Sequence, residues 1–273
     1  MTLPDDAVRY TRPEDSHVGV LSLHRPDNRN SMTPELLDAF AVASGAARAD
    51  HGARCVIVTG SGSSFSAGAD FKSTLQRDDE GAGPSPAYAR APNERSYAMY
   101  EPFLSLLDIP VPIIGALNGH AVGGGFGLAL VCDLRIGARE AKYGANFVRL
   151  GLAPGMAISY LLPRLIGLAR ANELLLTGTL VDGTRAEALG ILNRAVPAAE
   201  VLAVAHELAN QIAGAAPLAV RATKLAIRRG LELFVREAAR AEAYAQAETV
   251  ATADAREGIA ALLAKRTPRF TGR

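Results

Sequence analysis

The sequence predicts an α/β fold with a largely parallel sheet, because short apolar runs alternate with helical patterns along much of its 273 residues. Residues 18–23 form the first apolar run. Residues 54–59 form a second, which is continuous and β-branched, as expected of a strand buried on both faces. Residues 111–117 form a third run of the same kind. We therefore expect all three segments to be strands.

Turns and helix starts separate these strands. Pro34 is expected to open a helix, with Thr33 as its N-cap, because proline suits the first helical position and a hydroxyl suits the cap. Residues 60–68 are rich in Gly and Ser and predict a loop. A further helix is predicted from about Gly124, followed by a strand over residues 133–137.

A domain boundary is predicted near residue 200. Residues 1–199 carry the strand–helix alternation and are expected to form the core. Residues 200–273 are Ala-rich and predict a smaller helical region, interrupted at Pro217 and Gly230. Within the core, residues 73–95 are polar and contain several Gly and Pro residues, which predicts a mobile flap.

The charge balance narrows the classes of partner. Lys and Arg total 29 and Asp and Glu total 28, so the net charge is +1. Nucleic acids and anionic membranes both require a basic surface, so neither is expected as the main partner. Residues 109–132 carry no charge and are long enough to cross a bilayer, but prolines and glycines interrupt them. No membrane span is expected.

The cysteine and histidine residues predict a protein of the cytoplasm without a metal site. Cys55 and Cys132 each lie in an apolar run and are expected to be buried thiols rather than a disulfide, which fits a reducing compartment. The 5 histidines are scattered, without an HxxxH or CxxC pattern, so no metal site built by the protein is expected. The acidic N-terminus has no apolar segment typical of a signal peptide.

Two glycine-bearing segments are the main functional signal. Residues 65–72 and 118–127 each follow a predicted strand and lead towards a helix. Glycine allows the backbone to approach a ligand closely, and free N–H groups at a helix start favour a negative oxygen. Two such ends together would form an oxyanion hole. The alternative is tight packing of helix on strand. The chain contains no P-loop, no GxGxxG after the first strand and no GxSxG.

Motifs in a fixed order along nearly the whole chain resemble the crotonase (enoyl-CoA hydratase/isomerase) superfamily. The resemblance is specific for the superfamily and leaves the reaction open. The matching segments are residues 23–26 (LHRP), 29–32 (RNSM), 67–72 (AGADFK), 118–119 (NG), 123–125 (GGG), 132–136 (CDLRI), 150–155 (LGLAPG), 162–167 (LPRLIG), 177–178 (TG), 186–190 (AEALG) and 269–270 (RF).

This resemblance implies a spiral of repeated ββα units, with two nearly perpendicular sheets and a C-terminal helical region that forms a homotrimer or a hexamer. It implies an acyl-CoA thioester as the substrate, coenzyme A being part of that substrate, and no tightly bound cofactor. The thioester oxygen would lie between the backbone N–H groups of Ala69 and Gly124. Residues implied in coenzyme A binding are Arg25, Arg29, Ala67, Gly68, Ala69, Asp70, Lys72, Lys265 and Phe270.

The sequence departs from the hydratase pattern at both catalytic carboxylates. By resemblance, hydratases carry one glutamate at the position of Gly127 and another at that of Phe147. The acid of dienoyl isomerases would fall near Gly155. A positioned acid or base typically contributes 10²–10⁴-fold, so two-glutamate hydration is not expected. If these two positions are the whole defect, restoring both carboxylates should raise hydration.

Other residues are candidates for the missing acid or base. His120 follows the Asn-Gly turn and is a candidate because histidine is a common general acid or base, although a packing role suits that position too. Phe126 and Phe147 indicate an apolar substrate pocket that also includes Gly127 and Asn146. The remaining polar candidates are Asp78, Asp79, Glu80, Glu94, Tyr97, Tyr100, Tyr143 and Tyr160, whereas Asp70 and Asp133 are expected to be structural.

Three functions remain open from the sequence. The first is an enoyl-CoA hydratase/isomerase-type enzyme that stabilises a thioester enolate and performs isomerisation, decarboxylation or hydrolysis. The second is an acyl-CoA binder or sensor without catalysis. The third is a hydrolase that cleaves a C–C bond in a ketone without coenzyme A. Retention of residues 67–72 and of Arg29 argues against the third.

Overall fold

The computed structural model describes residues 7–69, 91–228 and 232–269. Its larger sheet has six strands in the order β1-β2-β3-β5-β7-β10, and all neighbours except β1 and β2 are parallel. The mainly parallel pairing predicted from the continuous apolar runs is confirmed. These strands are β1 (Val8–Thr11), β2 (Val18–Leu23), β3 (Cys55–Gly60), β5 (Ile113–Leu117), β7 (Leu134–Ala138) and β10 (Arg194–Val196).

The smaller sheet has four strands in the order β4-β6-β8-β9. They are β4 (Ser64–Ser66), β6 (His120–Val122), β8 (Lys142–Gly144) and β9 (Val181–Asp182). The prediction of a loop throughout residues 60–68 is wrong, because Ser64–Ser66 pairs in parallel with β6. A strand of three residues between glycines has too few apolar side chains to give a periodic signal.

Ten α-helices lie in the described ranges: α1 (Pro34–Ala49), α2 (Pro92–Leu104), α3 (Gly124–Val131), α4 (Ile158–Ile166), α5 (Leu168–Thr177), α6 (Gly183–Leu189), α7 (Val201–Ala213), α8 (Pro217–Arg228), α9 (Glu232–Val250) and α10 (Ala253–Leu263). The predicted cap of α1 is confirmed, since the Thr33 side chain accepts from the N–H of Leu36. None of the helices in these ranges is long and apolar enough to cross a membrane.

The core lies on the faces of the larger sheet, where α7 packs against β3, β5 and β7. Cys55 and Cys132 are both buried as free thiols, and burial raises the pKa of each to about 12. Both thiols therefore behave as small core side chains.

The last helices close over the turn that precedes α4. Helix α9 packs along α2, and α10 packs against a short 3₁₀ helix at Phe147–Leu150. Gly258 of α10 lies so close to Leu150 that a Cβ there would be 2.6 Å from the Leu150 carbonyl carbon. The C-terminal helices therefore help to fix residues 147–157. The predicted division of the chain at residue 200 stays a prediction.

Candidate active site

The two glycine segments meet at the ends of β4 and β6. These strands pair in parallel, so the chain leaves both at the same edge of the sheet. Gly68 has φ of +81°, and a Cβ there would lie 2.7 Å from the Val122 carbonyl oxygen and 2.9 Å from the Gly124 nitrogen. Both the backbone conformation and the lack of space require glycine at this position.

A buried asparagine fixes the loop that carries Gly68. Asn30 is fully buried in a left-handed conformation. Its Nδ2 donates to the carbonyl oxygens of Ser64 at 2.8 Å and Phe65 at 3.2 Å, and its Oδ1 accepts from the N–H of Arg25. The N–H of Met32 donates to the Gly68 carbonyl at 2.8 Å. The two Nδ2 bonds connect the turn at residues 25–32 to β4, and the Met32 bond connects the same turn to Gly68, so the loop is fixed against this turn.

Ala69 and Gly124 both lie at this junction, because Ala69 directly follows Gly68. Gly124 is the first residue of α3, so its N–H has no partner within the helix. Neither N–H donates a turn or loop hydrogen bond within the described ranges. The positive end of the α3 dipole adds to the field that an anionic oxygen would meet there.

Apolar side chains form the wall beside this junction. A Cβ on Gly123 would lie 3.8 Å from Cζ of Phe147 and 3.9 Å from Oδ1 of Asn146. A Cβ on Gly127, one turn further along α3, would overlap the Cβ of Met156. Met156 is 1% exposed and has φ of +60°. The space beside Gly127 is therefore already filled by a thioether side chain.

A polar group faces the turn on the other side of Met156. A Cβ on Gly155 would lie 2.5 Å from the Tyr100 hydroxyl oxygen and 3.3 Å from Nε2 of Gln246. The Tyr100 hydroxyl donates to Oε1 of Gln246, which lies on α9. Thr249, also on α9, accepts from the N–H of Ala153 at 3.1 Å. Helices α2 and α9 thus place three polar side chains against one turn.

Comparison with known proteins decides the family. The profile described as Enoyl-CoA hydratase/isomerase matches residues 14–273. The chain belongs to this family.

Curated relatives of the enoyl-CoA hydratase/isomerase family match over nearly the whole chain. A putative enoyl-CoA hydratase from Thermus thermophilus is 38% identical over 257 residues, which cover 94% of this chain and 98% of that protein. The mitochondrial methylglutaconyl-CoA hydratase of Rattus norvegicus is 32% identical over 270 residues, covering 97% of this chain and 82% of that protein.

Solved structures of other proteins share the fold. An enoyl-CoA hydratase/isomerase from Pseudoalteromonas atlantica has a TM-score of 0.81 and 28% identity, covering 97% of this chain and 100% of that chain. Pseudomonas aeruginosa OdaA has a TM-score of 0.79 and 30% identity, covering 95% and 99% of the two chains. The crotonase-like α/β fold expected from the motifs is therefore confirmed.

The candidates for coenzyme A binding fall into three groups. Arg25 and Arg29 lie on the turn that supports the Gly68 loop, and the Arg29 carbonyl accepts from the N–H of Ala67 at 3.0 Å. Lys265 is exposed just after α10. Asp70, Lys72 and Phe270 lie outside the described residues, as do the flap residues Asp78, Asp79 and Glu80.

Several candidates for acid or base have structural contacts instead. His120 is exposed at the start of β6, where its Nδ1 accepts from the N–H of Lys142 at 2.9 Å and supports the pairing with β8. The buried Tyr143 hydroxyl donates to the Ala138 carbonyl at 2.8 Å. Glu94 accepts from the N–H of Ala91 at the start of α2. These contacts favour structural roles for all three.

Two further candidates, Tyr160 and Tyr97, contact charged side chains nearby. Tyr160 stacks beneath the Arg164 guanidinium, whose carbon lies 3.3 Å from the ring centroid. Tyr97 is half-buried, and its pKa is raised by burial and by its hydrogen bond to Glu101. Phe126 is buried in α3. No cluster of three metal-ligating His, Cys, Asp or Glu residues occurs in the described part of the chain.

The sequence analysis missed Met156 and Gln246. Met156 follows the Pro-Gly turn, and no neighbouring residue in the sequence predicts its left-handed backbone conformation. Gln246 lies 146 positions after Tyr100, the residue that it contacts. The sequence held one local signal for these residues. Glycine stands at positions 127 and 155, where the family resemblance implies acidic side chains, so another side chain could be expected to fill each space.

Proposed function

We propose that this protein binds acyl-CoA thioesters and stabilises the thioester enolate between the N–H groups of Ala69 and Gly124. The observation that supports the proposal is the approach of Gly68 to the Gly124 nitrogen, because Ala69 is the residue next to Gly68 in the chain. Preorganised backbone donors of this kind are typically worth 10²–10³-fold each in rate. The curated relatives named above as hydratases of CoA thioesters support the same substrate class.

The reaction that we propose is enolate chemistry without addition of water. Hydration by the family mechanism needs two carboxylates to hold one water molecule. Here Phe147 stands at one of those positions, and Met156 fills the space beside the other, Gly127. Neither of these two side chains can accept the strong hydrogen bonds by which a carboxylate would hold water. The same wall keeps a second candidate open, an acyl-CoA binder that lacks catalysis.

The test is the substitution Gly68→Ala, with calorimetric titration of the saturated thioester hexanoyl-CoA. The added methyl would lie 2.7 Å from the Val122 carbonyl oxygen and 2.9 Å from the Gly124 nitrogen, so it should abolish detectable binding. Gly190→Ala is the matched control, because Gly190 has φ of +85° and a Cβ there would meet nothing within 4 Å. It imposes a similar backbone strain of about 1 kcal/mol without touching the site.

Two results would contradict the proposal: no binding of hexanoyl-CoA by the unmodified protein, or equal binding by the Gly68→Ala and Gly190→Ala variants. A separate assay with crotonyl-CoA tests the exclusion of water. We expect hydration far below the ordinary enzyme range of about 1–10³ s⁻¹.

We also infer that the assembly is a homotrimer, or a dimer of such trimers, as the family resemblance implies. The observation behind this inference is an apolar groove between α4 and two helices of the C-terminal region, α7 and α8.

A further inference from the structure

Gly123 faces open space beside the junction of the two glycine segments, unlike the glycine that follows it. A Cβ on Gly124 would lie 2.3 Å from Sδ of Met32. A Cβ on Gly123, by contrast, would meet only Cζ of Phe147 at 3.8 Å and Oδ1 of Asn146 at 3.9 Å among the described residues. A space bounded by one aromatic ring and one amide therefore adjoins the start of α3.

The pairing of β6 with β8 brings Asn146 to this space. Val122 lies opposite Gly144 in the parallel register, and the Gly123 N–H donates to the Gly144 carbonyl at 3.0 Å. Parallel strands leave a sheet at the same edge, so the two segments run side by side beyond these residues. Asn146 follows the end of β8 by two residues, just as Gly124 follows the end of β6.

The side-chain amide of Asn146 is free to contact a ligand. Asn146 stands at the N-cap of the 3₁₀ helix Phe147–Leu150, where an asparagine usually accepts a main-chain N–H. That cap hydrogen bond is absent, and the amide has no other hydrogen-bond partner in the parts of the chain that the structure describes. The residue is half-buried, and polar groups in such positions normally find a partner. A bound ligand would supply it.

The amide lies within reach of the acyl group of a thioester held at Gly124. Bond lengths place the Gly123 Cβ position at most about 4 Å from the Gly124 nitrogen, so Oδ1 of Asn146 lies within about 8 Å of that nitrogen. A thioester oxygen hydrogen-bonded to this nitrogen, about 3 Å away, places the third acyl carbon about 5–6 Å from it. An oxygen atom on that carbon can bridge the remaining distance to the amide.

We propose that Asn146 is a specificity-determining residue whose amide donates to a carbonyl oxygen on the third acyl carbon, and that the substrates are 3-oxoacyl-CoA thioesters. This inference rests on the proposed function and names the substrate class of that same site. Phe147 and an uncharged amide bound the space, so an acyl carboxylate would be buried there without a cation. A neutral carbonyl oxygen needs one donor, which the amide supplies.

A 3-oxo group also suits a site that lacks both catalytic carboxylates. A C–H bond between two carbonyl groups is far more acidic than one beside a single thioester, because both oxygens share the charge of the enolate. When that proton passes to solvent, the C–H electron pair becomes the enolate. Its charge is divided between the thioester oxygen, at Ala69 and Gly124, and the 3-oxygen, at Asn146. Each oxygen then meets a donor that the fold has already positioned.

The test is calorimetric titration of 3-oxohexanoyl-CoA and of hexanoyl-CoA, which differ only at the third acyl carbon. One additional hydrogen bond should make the unmodified protein bind 3-oxohexanoyl-CoA about 3–10-fold more tightly. Asn146→Ala should bind both thioesters equally, with its affinity for hexanoyl-CoA unchanged. Asn210→Ala is the matched control, because it removes an exposed asparagine side chain on α7 and should keep the preference.

A second variant separates hydrogen bonding from packing. Asn146→Asp keeps the shape of the side chain but replaces the amide donor with a carboxylate oxygen. At neutral pH it should therefore bind 3-oxohexanoyl-CoA less tightly than hexanoyl-CoA. The inference is overturned if the unmodified protein binds the two thioesters equally, or if Asn146→Ala keeps the preference. Failure to bind either thioester would instead refute the proposed function.

Discussion

Gly127 and Met156 form a pair in which the larger residue fixes the identity of the smaller one. The Cβ of Met156 occupies the space that a Cβ of Gly127 would need. Met156 and the following Ala157 are both left-handed, with φ of +60° and +55°, and this conformation aims the Met156 side chain at α3. The sequence has no carboxylate at position 127, and the turn that carries Met156 leaves no space for one.

Restoring the two carboxylates should therefore fail, contrary to the simplest expectation from the sequence. We expect Gly127→Glu with Phe147→Glu to give no gain in crotonyl-CoA hydration, and Gly127→Glu alone to destabilise the fold by about 1–3 kcal/mol through overpacking. Adding Met156→Gly removes the obstructing Cβ and relieves the positive φ, so the triple variant should hydrate crotonyl-CoA measurably.

Met156→Ala is the matched control in that experiment, because alanine keeps the Cβ that obstructs position 127. The triple variant with Met156→Gly should have both the higher hydration rate and the higher denaturant midpoint than the one with Met156→Ala. If the alanine version hydrates as fast as the glycine version, the obstruction lies elsewhere.

Residues whose roles depend on local sequence were predictable, and those whose roles depend on distant contacts were not. The glycines around Ala69 and Gly124 can be recognised in the sequence, because each segment follows a predicted strand and precedes a predicted helix. The roles of Met156 and Gln246 cannot be recognised from their neighbours in the sequence. Met156 contacts Gly127 and Gln246 contacts Tyr100, and both partners lie far away in the chain. His120 was predictable as a candidate acid or base, but its hydrogen bond to the backbone of Lys142 was not.

At the scale of elements, helix α8 is held to the larger sheet by a buried group of charges. Lys224 donates to the Val111 carbonyl at 2.5 Å and pairs with Asp133 at 3.0 Å. Arg228 pairs with the other carboxylate oxygen of Asp133 at 2.9 Å. Burial lowers the pKa of Lys224 to about 8, with Asp133 opposing this effect and Arg228 adding to it. Asp133 is structural, as the sequence suggested.

The lowered pKa predicts how stability depends on pH. Between pH 8 and 10.5 the folded protein holds fewer protons on Lys224 than the unfolded chain does, so this residue's contribution to stability rises with pH across that window. The buried cysteines act in the opposite sense above pH 9, because their pKa values are raised to about 12. A comparison with Lys224→Met isolates the contribution of Lys224 to the pH dependence of stability.

The measurement is the free energy of unfolding by denaturant at several pH values from 7.5 to 10.5. The unmodified protein should gain stability relative to Lys224→Met as the pH rises, by a few kcal/mol at most. Parallel curves for the two proteins would show that the ammonium group is solvated. Cys55 and Cys132 are present in both proteins, so their opposing effect cancels in the difference.

Long elements were predictable and short ones were not. Strands β2, β3, β5 and β7 were expected within two residues of their observed bounds, and helices α1 and α3 were expected to begin where they do, because apolar runs and a proline after a cap residue are local signals. Strands β8, β9 and β10 have two or three residues each. Strands this short carry too few residues for a periodic apolar signal in the sequence.

At the scale of the whole molecule, an apolar groove lies between α4, α7 and α8. Its volume is about 790 Å³. Leu165 and Ile227 line it and are 37% and 67% exposed, although both side chains are large and apolar. Contiguous apolar surface of this kind usually marks an interaction site. A second copy of this chain is the occupant that fits the implied trimer.

Light scattering at micromolar concentration should give a mass three or six times the 28.6 kDa of one chain. Ile227→Lys places a charge in the groove, which an interface would have to bury without a partner, and should therefore shift the mass towards one chain. Leu176→Lys is the matched control, because Leu176 is 75% exposed on α5 and does not line the groove. A monomer mass for the unmodified protein would refute the assembly. An unchanged mass for Ile227→Lys would place the subunit contacts on another face, and the groove would then need a different occupant.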